Sequence, residues 1–131
     1  MPVTLDIREN GHVVHYVLSG QWQPRDLMNL YDQEWAYRAS VNHPVHALMD
    51  LRKMANVPPG VLTVRKGAPT LLHRNDSHFV LVGANVYAQA VAETIFKLTH
   101  YTKAKFVATE EEAWAYLRQI IAQESAQVSQ V

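Results

Sequence analysis

From Phe79 to Ile121 the chain sets out an apolar strand, a glycine turn, a helix, a second strand and a capped helix. This succession constrains the fold more than any other stretch. His78–Val82 is apolar enough for a buried strand, and Gly83-Ala84-Asn85 turns the chain into a helix whose exposed amides the Asn85 side chain can cap. Ala88, Val91, Ile95 and Leu98 recur at helical spacing and predict the buried stripe. Lys97, His100 and Lys103 follow near its end, where positive charge complements the helix dipole. Lys105–Ala108 is the next strand. Thr109-Glu110-Glu111-Glu112 then forms a capping box, opening a last helix that buries Ala113, Leu117 and Ile120 and carries Trp114 and Tyr116 near the edges of that face.

The first half supplies the remaining strands. Val3, Leu5 and Ile7 alternate with Thr4, Asp6 and Arg8, the pattern of a strand with one buried face. Asn10-Gly11 tolerates the positive φ angles of a tight reversal, and Val13–Leu18 returns as the inner strand of a hairpin. Pro24 suits the first position of a helix running to about Ser40, with Leu27, Tyr31 and Trp35 on its buried face and Asp26, Asn29, Asp32 and Arg38 facing water. Pro44 precedes Val45–Leu51, dense enough in apolar residues for a central strand, with Asp50 near the end where ligand sites of α/β sheets collect. Pro58-Pro59-Gly60 starts a segment that Gly67 or Pro69 interrupts, predicting one broken helix or two short ones.

Strands alternating with helices need right-handed crossovers between parallel neighbours, whereas the hairpin is antiparallel. The expected fold is therefore α/β: a mixed sheet of about five strands with an N-terminal β-hairpin and packed helices. With 131 residues the chain reads as one domain over residues 1–123, followed by a polar tail over 124–131 that is expected to fray.

Composition narrows the chemistry. Twelve Lys and Arg against twelve Asp and Glu give a formal charge of zero, so no overall field draws in nucleic acid or an anionic membrane. The basic residues Arg52-Lys53, Arg65-Lys66 and Arg74 have few aromatics near them for stacking bases. With no cysteine, disulfides and thiolate chemistry are excluded. No apolar run reaches the roughly 20 residues of a membrane span, and the first residues lack a basic region followed by an apolar one, so a cytoplasmic location is expected.

Motifs for catalysis are sparse. There is no GxxxxGK[ST] loop, and Val82-Gly83-Ala84-Asn85 lacks the spacing of a dinucleotide turn, which leaves Gly83 as scaffold. Seven histidines are the tempting metal ligands. His43 with His46, and His73 with His78, flank two junctions that would need to meet beside Asp50 or Asp76 to hold zinc, and nothing resembles HExxH. His12 and His15 are assigned to opposite faces of a strand. Asp50 is the best-placed carboxylate for acid–base work, but Arg52 and Lys53 beside it stabilise its charge and weaken it as a base. No catalytic residue, metal ligand or cofactor is therefore assigned. An enzyme built on His43, His46, Asp50 and His73 would require those side chains to converge on one point.

The strand ending Val80-Leu81-Val82-Gly83, the helix after it, Phe106-Val107, and Thr109-Glu110-Glu111-Glu112-Ala113-Trp114-Ala115-Tyr116-Leu117 resemble the C-terminal half of a STAS domain, the sulfate-transporter and anti-sigma-factor-antagonist fold. The N-terminal hairpin, the helix and Leu48-Met49-Asp50-Leu51 resemble its first half. This resemblance implies a non-enzymatic regulatory or protein-interaction domain, with a protein partner or a second copy of itself. Regulators of this family carry a phosphorylated serine or threonine in the loop after the strand matching Val45–Leu51. Here that loop reads Val57-Pro58-Pro59-Gly60-Val61, so the glycine is kept and the hydroxyl is lost. Thr63 is the nearest substitute. The resemblance thus implies a relative without the charge-driven switch. Its candidate interaction or ligand site comprises Asp50, Arg52, Pro58, Pro59, Gly60, Thr63, Gly83 and Asn85. Related folds also bind lipid-like molecules, so a small apolar ligand in a pocket lined by Tyr31, Trp35 and Phe79 is the alternative expectation.

Overall fold

The expected hairpin is present, with β1 (Val3–Arg8) antiparallel to β2 (Val13–Gly20) and Val3 opposite Leu18. A computed structural model describes residues 1–72 and 77–129. Glu9, Asn10 and Gly11 all take positive φ in the turn, at 54°, 55° and 90°. Gly11 is further constrained because a Cβ there would lie 2.5 Å from the Tyr37 hydroxyl oxygen. That hydroxyl donates to the Gly11 carbonyl at 2.6 Å, tying the hairpin to a helix.

Three more strands, β3 (His46–Met54), β4 (Phe79–Val82) and β5 (Ala104–Val107), add in sequence to give the order β1-β2-β3-β4-β5. All pairs after the hairpin are parallel, with Val13 opposite His46, Ala47 opposite Phe79, and Phe79 opposite Ala104. The sheet is mixed and five-stranded, and β3 is its central strand. Strands added one after another in the same direction by right-handed crossovers place their helices on one face. That face carries α1 (Pro24–Met28), α2 (Tyr31–Ala39), a 3₁₀ turn at Val61–Arg65, α3 (Pro69–Leu72) and α4 (Val86–Leu98). Among the described residues the other face is covered by α5 (Glu110–Ser129) alone.

Strand alternation divides the core accordingly. Val14, Tyr16, Leu18, Ala47, Leu51, Phe79 and Leu81 meet Leu27, Tyr31, Val64, Ile95 and Phe96 on the crowded face. Val13, Leu48, Val80, Val82 and Val107 meet Ala113, Trp114 and Leu117 of α5. Asn85 caps α4 by accepting from the Ala88 amide at 2.8 Å. Thr109 accepts from the Glu112 amide at 3.1 Å, while Glu112 accepts from the Thr109 hydroxyl rather than from its amide.

Four local expectations change. The helix from Pro24 is interrupted because the Leu30 amide bonds back to Leu27, only three residues earlier, and this tightened turn separates α1 from α2. Arg38, assigned to water from its charge, is 3% exposed because four hydrogen-bond acceptors surround it. On α4, Phe96 rather than Leu98 is buried, packing against Phe79, Tyr101 and Phe106. Helix α5, expected to end near Gln123, runs on to Ser129, and Glu124 on it reaches His46.

Candidate functional site

Interrupted helices pack less continuously than one long helix, and a cavity of about 100 Å³ lies between the crowded sheet face and the helical layer. Tyr16 and Leu18 of β2, Met49 and Leu51 of β3, and Phe79 and Leu81 of β4 form its floor. Leu27 and Tyr31, Val61 and Val64, and Ala92 and Ile95 face them from α1, α2, the 3₁₀ turn and α4. Met54, Val57 and Val61 are only half-buried, and they mark the cavity's rim at the carboxyl end of β3. Of the aromatics expected to line a pocket, Tyr31 and Phe79 do so; Trp35 instead donates to the Gly67 carbonyl at 2.8 Å.

A buried polar network borders this cavity. Glu34, 1% exposed, accepts from the Tyr16 hydroxyl at 2.5 Å, from Arg38 Nε at 2.7 Å and from the Thr70 hydroxyl at 2.9 Å. Arg38 also donates to the Val45 carbonyl at 2.8 Å, the Ser77 hydroxyl at 2.9 Å and the Thr70 hydroxyl at 3.3 Å. Burial, and then the neighbouring Glu34 carboxylate, push the Tyr16 phenol well above its usual range. Tyr31 is raised by the same two causes, and its hydroxyl donates to the Val64 carbonyl at 2.5 Å. Both phenols are therefore held neutral as donors. Trp22, 5% exposed, also lines the cavity, and its indole N–H has no hydrogen-bond partner among the described residues.

The residues singled out from the sequence gather around the carboxyl ends of β3 and β4. Asp50, 3% exposed, is held by a bidentate Arg52, Nε to Oδ1 at 2.9 Å and Nη2 to Oδ2 at 2.6 Å, and also accepts from the Arg52 amide at 3.0 Å. Burial pushes the Asp50 carboxyl up, but the Arg52 hydrogen bonds and charge outweigh it and hold the carboxyl below its usual value. It is a weak base. Arg52 extends to Glu110 at 2.7 Å, joining β3 to the first turn of α5. Gly83, at φ 72°, sits against this arginine, and a Cβ there would collide with Arg52 Cγ. Pro58 is buried, while Pro59 and Gly60 are exposed. Thr63 is exposed too, its hydroxyl donating to the Gly60 carbonyl at 2.7 Å.

Of the histidines singled out as metal ligands, His43, His46 and His78 do not converge on Asp50. His43 stacks on His12 with ring centroids 4.1 Å apart. His46 accepts from the His78 amide through Nδ1 at 3.0 Å, which leaves Nε2 to donate to Glu124 at 3.1 Å. His46 and Asp50 lie four residues apart on β3, about 13 Å along a strand. His73 and Asp76 lie outside the described residues. His15 belongs to a third group, edge-on to Trp114 at 5.5 Å. Among the described residues no three His, Asp or Glu side chains are arranged to hold a metal ion.

Compared with known proteins, the chain matches no family model and no curated protein. No helix among the described residues is long and apolar enough to cross a membrane. Sequence reasoning missed Trp22, Glu34 and Arg38. The one visible signal was an isolated tryptophan in the polar stretch Gly20-Gln21-Trp22-Gln23, a residue too large and apolar to leave in water without reason.

Proposed function

We propose that this chain is a binding domain of STAS-like fold that holds a small apolar molecule between its sheet and its helical layer and performs no chemistry of its own. The observation that carries this reading is the cavity of about 100 Å³, walled by Leu, Val, Ile, Met and aromatic side chains and bordered by a few fixed polar groups. Binding sites for small molecules have this composition. Size fits as well, since an engineered apolar cavity of about 150 Å³ binds benzene. The order of elements, a hairpin followed by parallel strands joined through helices, supports the STAS-like assignment. Asp50, engaged by Arg52, is poorly suited to act as a base.

Protein extracted with organic solvent after purification from its native source is expected to release one small molecule near stoichiometry, detected by mass spectrometry. Ala92→Leu, which adds bulk to a cavity wall on α4, should purify without it. Equal recovery from both proteins would refute the assignment.

A second reading, a protein-interaction domain that pairs with itself, draws on Val86 and Tyr87, 89% and 66% exposed at the start of α4 beside Gly83 and Asn85. Apolar side chains left this open suit a contact with a second copy. Sedimentation should then show a dimer that Tyr87→Glu dissociates; a monomeric parent chain would rule it out.

A further inference from the structure

The hydrogen-bonding capacity along the cavity wall points to the class of molecule it selects. We infer that the cavity takes a neutral molecule of about four to six non-hydrogen atoms bearing one hydrogen-bond acceptor, such as a ketone, and that the Trp22 indole N–H is the group that recognises it. This rests on the binding reading above and adds its selectivity.

The side-chain donors along the wall can be assigned one by one. The Tyr16 and Thr70 hydroxyls donate to Glu34, and the Tyr31 hydroxyl donates to the Val64 carbonyl. Trp22 Nε1 alone of these four is buried with its hydrogen uncommitted among the described residues. An indole N–H is a donor only, so its complement must be an acceptor. A buried donor without a partner is destabilising, a penalty that an acceptor-bearing ligand removes and an alkane does not. Water is a poor substitute, because a buried water typically needs about two to four polar partners and the neighbouring hydroxyl hydrogens are already engaged.

Charge excludes the other acceptor class. Among the described residues no Lys, Arg or His lines the cavity, whereas Glu34 does, and Arg38 in the bordering network is already paired with Glu34. A carboxylate ligand would be desolvated without a cation beside it and would face a buried carboxylate of the same sign. Fatty-acid-like anions are thereby disfavoured and neutral carbonyl compounds admitted.

The test is NMR of the full chain labelled at tryptophan nitrogen and at methyl groups, titrated separately with cyclopentanone, cyclopentane and butanoate. Both neutral probes should shift the Leu81 and Ile95 methyls, and cyclopentanone alone should move the Trp22 indole proton downfield. Butanoate should do neither. In Trp22→Phe the affinity for cyclopentanone should fall about fivefold relative to that for cyclopentane. The indole readout needs no variant, so it stands even where Trp22→Phe fails to fold. An indole signal that ignores cyclopentanone while the methyls respond, or butanoate binding as tightly as the ketone, overturns the selectivity and leaves the binding reading in place. Methyls that respond to neither neutral probe overturn both.

Discussion

The Tyr16 hydroxyl on β2 donates to Glu34 on α2 across 2.5 Å, joining the sheet to the helical layer at the edge of the cavity. Tyr16→Phe removes that donor without changing the ring, leaving a buried carboxylate one hydrogen bond short. Urea denaturation should show a loss of about 1–3 kcal/mol, read as a lower midpoint at unchanged slope. An unchanged midpoint would mean that the bond contributes nothing net.

Arg38 and Glu34 form a buried pair whose members are each costly to leave alone. Arg38→Met or Glu34→Leu singly should lose about 3–5 kcal/mol. The double variant should lose clearly less than the sum, because it strands neither charge. A double-mutant cycle by chemical denaturation measures the difference, and strict additivity would argue against a coupled pair.

Gly83 combines φ 72° with contact against Arg52. Gly83→Ala should destabilise by about 1–2 kcal/mol from backbone conformation alone, with a further loss from the collision. Pairing it with Arg52→Ala should recover the collision component but not the conformational one, so thermal melts of the double variant are expected to show coupling between the sites.

Acid should weaken the fold in two windows. Burial, and then the charge of Arg8, hold the His15 imidazole below its ordinary value of 6.5. Asp6, Asp50 and Glu110 face it and act in the opposite direction. As pH falls below 6.5 the unfolded chain takes up the proton first, so stability declines until the lowered folded-state value is reached. His12 is lowered by burial and then by His43, and it adds a decline of the same sign. The second window belongs to the carboxyls. Asp50 is held low by Arg52 against its burial, and Glu110 by the Trp114 N–H bond first and then Arg52. Their stabilisation is present above the ordinary carboxyl range and lost as pH falls through the depressed values. Stability measured against pH should lose part of its upper slope in His15→Gln and part of its lower slope in Arg52→Met.

Features set by a few adjacent residues were legible in the sequence. Asn10-Gly11 placed the hairpin, Asn85 and Thr109 placed two helix starts, and Pro58-Pro59-Gly60 with Gly67 and Pro69 announced a broken segment. Tyr31 and Phe79 were placed in a pocket from the sequence, but the rest of its lining was not legible, because the cavity is space left among three strands and several helical segments rather than a property of any one. Glu34 and Arg38 were hidden for a related reason. Periodicity counts charge as surface, whereas their burial depends on Val45, Thr70 and Ser77, brought from distant parts of the chain. Trp35 and Leu98, assigned by spacing alone, illustrate the converse: correct helical periodicity does not say how deep a side chain lies.

The binding account is tested most directly by a crystal structure of protein purified from its native source, examined at the cavity. It predicts density for one small molecule enclosed by Leu27, Leu81 and Ile95, with an acceptor oxygen about 2.9 Å from Trp22 Nε1. A cavity closed by its own side chains, with the Trp22 N–H bonded to the protein, would contradict it.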